Sequence, residues 1–184
     1  MAQPAPPHIH KPCIQRIVLT GFMGAGKTTV GNLLANRLAW QFIDADAVIE
    51  AETGAAIAQL FARHGEPWFR QLEHETIGRL LASTSTVLAL GGGAIEDRRT
   101  RSLLLASEAT RLVHLEASLE TVLDRCRGTE AVRPILQDRL NLEARYQRRL
   151  PLYRESHLTV AVDSLSPEEA AEAILDSLGT TRKM

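Results

Sequence analysis

Residues 21–29 read GFMGAGKTT, which sets Gly21, Gly26, Lys27 and Thr28 in the order G-x-x-x-x-G-K-[ST]. An apolar β-branched run, RIVLT at 16–20, precedes the loop, and Val30, Leu33, Leu34 and Leu38 follow on one helical face. The loop therefore joins a strand to a helix, as its chemistry requires. Glycines let successive backbone N–H groups curl around a phosphate at the positive end of the helix. Lys27 then reaches the β and γ oxygens, Thr28 offers a hydroxyl to Mg²⁺, and Gly24, Ala25, Gly26 and Thr29 complete the nucleotide-facing set. Of 21 basic residues only three are lysines, and the other two, Lys11 and Lys183, lie near the termini. A nucleoside triphosphate is the expected ligand.

What receives the phosphate must be decided by other residues. The guanine-reading N-K-x-D is absent, and no D-x-x-G follows a strand where a switch would sit, which favours a small-molecule kinase over a GTPase. FIDAD ends a strand and places Asp44 and Asp46 two residues apart. In an extended stretch the two carboxylates face one way; one can serve the Mg²⁺ shell while the other accepts a hydroxyl proton. On their own they would read as loop acids at a helix entry, with Asp46 as the cap. Arg70 and Glu73 are helical neighbours in GEPWFRQLE, so Glu73 can fix the Arg70 guanidinium for a substrate carboxylate. Residues 125–154 carry eight arginines and no lysine. Within them RGTEAVRPILQD lacks helical periodicity, as a mobile lid would, and Arg133 can swing over the transferring phosphoryl group. Gly91, Gly92 and Gly93 stand directly behind an apolar run, where backbone can approach a ligand closely.

Elements that would position these residues alternate along the chain. RIVLT, WQFID, TVLAL, RLVHL and LTVAV read as strands. Helices are expected after Gly26, over AAIAQLFARHG closed by Gly65, over EPWFRQLEHETIGRLLAS, near 97–106, 118–126 and 138–150, and after SPEE, where Ser166, Pro167 and Glu169 suit a capped first turn. Five strands separated by helices imply an α/β fold, a three-layer doubly wound parallel sheet. The first dozen residues hold four prolines and read as a disordered extension over 1–12, leaving 13–184 as a single domain with a lid at about 127–138.

Composition narrows the partners. A chain of 184 residues with 45% hydrophobic content can bury one good core. A formal net charge of −1 leaves no global field to recruit nucleic acid or an anionic membrane. No apolar stretch has the length of a membrane span and the N-terminus lacks signal-peptide order, so a cytoplasmic protein is expected. Cys13 and Cys126 have neither disulfide nor redox spacing, and the six histidines show no metal-binding pattern. A near-neutral single domain agrees with a monomer.

Taken together, GFMGAGKTTVG, FIDAD, GEPWFRQLE, LGGGA, VRPIL and RLPLYRE resemble the shikimate kinases, members of the nucleoside monophosphate kinase-like branch of P-loop proteins, from about Ile14 to Leu178. The resemblance implies transfer of the γ-phosphate of Mg-ATP to the 3-hydroxyl of shikimate, a step toward chorismate and the aromatic amino acids. It implies that Asp46 contacts the reacting hydroxyl and that Arg70 and Arg149 clasp the shikimate carboxylate. Gly91, Gly92 and Gly93 would line the ring side of the acceptor site, Arg133 would be the lid arginine, and Asp44 would serve the magnesium shell through water. The family commonly has an arginine before the lid that stacks on adenine; Arg125 and Arg127 are both candidates. A gluconate-type kinase, a non-catalytic metabolite-sensing module and a P-loop switch are the competing readings.

Overall fold

The computed structural model describes residues 14–127 and 139–179. The expected extension over 1–12 and nearly all of the expected lid, with Arg133, lie outside those residues. Five strands form one parallel sheet: β1 (Arg16–Thr20), β2 (Gln41–Asp44), β3 (Thr86–Ala89), β4 (Thr110–Glu116) and β5 (Leu158–Ala161), in the order β2-β3-β1-β4-β5. The central strands are continuously apolar because helices cover both faces of the sheet. Ile17, Val18, Leu19, Val87, Leu112, Val113 and Leu115 have no exposed surface, and each such side chain contributes roughly 1.5–3 kcal/mol through burial.

The helices are α1 (Lys27–Leu38), α2 (Ala45–Thr53), α3 (Ile57–His64), α4 (Glu66–Leu80), α5 (Arg98–Ala106), α6 (Leu119–Arg125), α7 (Arg139–Tyr153) and α8 (Pro167–Leu178), with a short 3₁₀ turn at Ala94–Glu96. The connection after β1 leads to β2, whereas that after β3 leads to β4 on the other side of β1. Neighbouring β1 and β3 therefore send their chains in opposite directions, and a crevice opens at their carboxyl ends. The phosphate loop follows β1 and the triple glycine follows β3, so both face that crevice.

Two local expectations are corrected. Asp46 is not in an extended stretch and does not cap the helix; it is the second residue of α2. Asp44 is the cap, its Oδ1 accepting from the N–H groups of Asp46 at 3.0 Å and Ala47 at 3.4 Å, which satisfies amides the strand-to-helix junction would leave open. Helix α7 runs on to Tyr153 instead of stopping at residue 150, with Pro151 inside its last turns. That extension keeps Leu142, Tyr146, Arg149 and Tyr153 in helical phase, and all four are buried.

A satellite core of Ile49, Leu60 and Phe69, packed by Phe61 and Leu72, ties α2, α3 and α4 together apart from the main core. Phe61 and Phe69 lie 4.4 Å apart between ring centroids. This three-helix arm carries Arg70.

Candidate active site

The phosphate loop is held open by backbone conformation. Gly21, Gly24 and Gly26 have φ of 144°, 73° and 95°, values that favour glycine. Gly26 begins α1 without a side-chain cap, leaving the first amides of that helix to face the crevice. Lys27 Nζ donates to the carbonyls of Gly21 at 2.8 Å and Phe22 at 3.0 Å, folding back over the loop. The Thr28 hydroxyl donates to Asp44 Oδ2 at 3.4 Å. Residues 23–30, Asp44, Asp46, Leu90, Gly91 and Gly92 line one hollow of about 720 Å³, together with Arg125, Val162, Leu165, Ser166, Pro167 and Ala170.

Asp46 sits between the loop and the triple glycine. A Cβ on Gly91 would lie 2.5 Å from Asp46 Oδ1, and one on Gly93 would collide with Arg70 Nη2. The missing side chains thus make room for two of the chain's own charged groups. Burial pushes the Asp46 carboxyl above its ordinary range; Asp44 adds to the push, Lys27 opposes it, and Glu50 and Arg70 act more weakly in opposite senses. A carboxylate so destabilised holds a proton more readily than a solvated one.

Arg70 is fixed from several sides. Nη1 donates to Glu73 Oε2 at 2.7 Å and Nη2 to Glu66 Oε1 at 3.0 Å, while Cζ lies 5.6 Å from the centroids of Phe61 and Phe69. Glu73 is itself buried. Burial pushes its carboxyl up to about 7 even though the Arg70 guanidinium pulls the other way. Arg149 approaches from α7, with its Cζ 5.9 Å from the Phe22 ring. Its Nη1 lies 3.7 Å from where a Cβ of Gly92 would stand, and Tyr153 Oη beside it donates to Gly92 O at 2.5 Å. Asp46, Arg70 and Arg149 therefore meet over the three glycines, next to the phosphate loop.

The sequence pattern of the family described as "Shikimate kinase" matches residues 23–179. The chain is 43% identical to the shikimate kinase of Thermobifida fusca over 88% of its own length and 93% of that protein's. The chain belongs to the shikimate kinase family. It is 41% identical to the Streptomyces avermitilis shikimate kinase over 90% of its length and 96% of the other's. The structure of shikimate kinase from Acinetobacter baumannii in complex with shikimate superposes with a TM-score of 0.84 at 35% identity, covering 94% of this chain and 97% of that one.

Two features of this kinase escape a reading by spacing. Glu96, on the 3₁₀ turn behind the glycines, accepts from Arg149 Nε at 2.9 Å and from Arg148 Nε at 2.9 Å, yet 52 and 53 residues separate these partners in sequence. The surroundings of Arg125 and Arg127 are the second. Arg125 lines the hollow and donates to Val162 O at 2.8 Å; Arg127 pairs with Asp124 at 2.7 Å. Tyr153, in contrast, was accessible in principle, through its helical phase with Leu142, Tyr146 and Arg149.

Proposed function

We propose that this chain transfers the γ-phosphate of ATP to the 3-hydroxyl of shikimate, giving shikimate 3-phosphate and ADP. The observation that carries the reading is the convergence of Asp46, Arg70 and Arg149 on one patch of side-chain-free backbone beside the phosphate loop. Shikimate is a small carboxylated triol, and two guanidiniums provide orientation as well as affinity for its carboxylate. With the carboxylate anchored there, the 3-hydroxyl points toward Asp46, which takes its proton as the phosphoryl group arrives. Lys27 leaves the Gly21 and Phe22 carbonyls for the β and γ oxygens. Gly24, Ala25, Gly26, Thr28 and Thr29 hold the triphosphate, and Arg125 borders the adenine.

Thr28 and Asp44 suit Mg²⁺, a hard cation usually held by one or two protein oxygens together with nucleotide phosphates and water. Bound there, it would neutralise charge on the transferring phosphoryl group. Residues 13–184 act in this reading as one kinase domain, with the lid at 127–138 bringing Arg133 over the reaction. Among the described residues no helix is long and apolar enough to cross a membrane, and we place the protein in the cytoplasm as a monomer. ADP release should be supported by shikimate and not by gluconate. A gluconate response equal to the shikimate response, or hydrolysis independent of any acceptor, contradicts the assignment.

A further inference from the structure

Arg70 and Arg149 bring like charges to one place, and each needs a counterion that does not occupy the substrate's position. Glu73 and Glu66 serve Arg70. For Arg149 the counterion comes from across the crevice. Glu96 Oε2 takes Nε at 2.9 Å and Nη2 at 2.7 Å, so it engages one edge of the guanidinium. Nη1, on the other edge, is the atom that faces Gly92. The same Oε2 lies 3.8 Å from Arg70 Nη2, which makes it the shared anion between the two arginines. Oε1 is taken by Arg148 at 2.9 and 2.7 Å.

The support beneath Glu96 is equally defined. Its N–H donates to Gly93 O at 2.9 Å, coupling it to the triple glycine. Arg101 Nη1 donates to the carbonyls of Ile95 at 2.6 Å and Glu96 at 3.2 Å, and Arg101 is itself paired with Glu155. Glu96 is thus a fixed carboxylate on the β3 side gripping a guanidinium delivered by α7.

We propose that Glu96 is a positioning residue for shikimate: it holds the Nε/Nη2 edge of Arg149 so that Nη1 is presented to the substrate carboxylate. This rests on the shikimate kinase reading. Because the carboxylate is remote from the reacting hydroxyl, its loss weakens binding without a matching loss of turnover.

The test compares the intact protein with Glu96→Gln, Arg149→Lys and the double variant. Glu96→Gln should raise the shikimate KM about 10- to 100-fold, the equivalent of one charged hydrogen bond, while the ATP KM and kcat stay within about threefold. The double variant should be no worse than Arg149→Lys alone, since Glu96 acts through that side chain. An unchanged or lowered shikimate KM, a parallel rise in the ATP KM, or additive effects would each overturn the proposal. If Glu96→Gln loses its native circular dichroism, Glu96→Asp replaces it: its shorter reach should raise the shikimate KM at least about threefold, and no rise overturns the idea. Failure of the intact protein to phosphorylate shikimate would sink the functional reading itself, so the two failures are distinguishable.

Discussion

At the scale of single residues, Asp46 carries the proton-accepting role in an environment unlike water. It is half-buried, beside a second carboxylate, and aimed at backbone that bears no side chain. For a proton acceptor the ionised form is the working form, so a raised pKa moves the acid limb of the rate profile upward. Activity should rise with pH through a midpoint above the ordinary aspartate range. Asp46→Asn should lower kcat by about 10²- to 10⁴-fold and abolish that limb, while the ATP KM is retained. Steady-state kinetics from pH 5 to 8 measure both, and an unaltered kcat would remove Asp46 from the chemistry.

Elements set what such residues can reach, and here the triple glycine separates two functions within three positions. A methyl on Gly91 meets Asp46 Oδ1 at 2.5 Å and Oδ2 at 3.0 Å; one on Gly93 meets the Arg70 guanidinium. Gly91→Ala should therefore depress kcat, and Gly93→Ala should raise the shikimate KM. Kinetics of the two variants check this, and identical profiles would contradict it. The same elements show why some of the site was legible and some was not. The phosphate loop is local: one strand end, one turn and one helix start carry all its contacts, and GFMGAGKTT displays them in order. Arg70 and Glu73 are one helical turn apart, so spacing alone pairs them. Asp44 and Asp46 were visible as acids, but which of them caps α2 depends on where the strand stops, a boundary that side-chain type does not fix. Glu96 belongs to a three-residue turn with no periodicity, and its partners arrive from α7 by tertiary packing. No pattern along the chain could join them.

Over the whole molecule, two buried groups tie stability to pH in opposite senses. His114 lies buried on β4, stacked on Tyr153 with ring centroids 5.0 Å apart. Burial lowers its pKa from 6.5 to about 4, with Glu116 pulling upward and Arg154 and Lys27 downward. Above pH 6.5 the histidine is neutral whether folded or not. As pH falls from 6.5 toward 4 only the unfolded chain takes up the proton, so up to about 3 kcal/mol of stability is lost across that window. Glu73 behaves in reverse. Its carboxyl is raised from 4.5 to about 7, so the stability it contributes is complete below pH 4.5 and is lost as pH rises through 7. The two windows overlap almost entirely, so between pH 4.5 and 6.5 the two contributions oppose each other. Each single variant should expose the other group's slope: His114→Phe should lose stability as pH rises from 4.5 to 7, and Glu73→Gln should lose it as pH falls from 6.5 to 4. Urea unfolding at pH 4.5, 5.5, 6.5 and 7.5 reads both signs directly. Parallel curves for the three proteins would mean that neither group titrates differently on folding, and that the charges in this crevice are solvated far better than their burial implies.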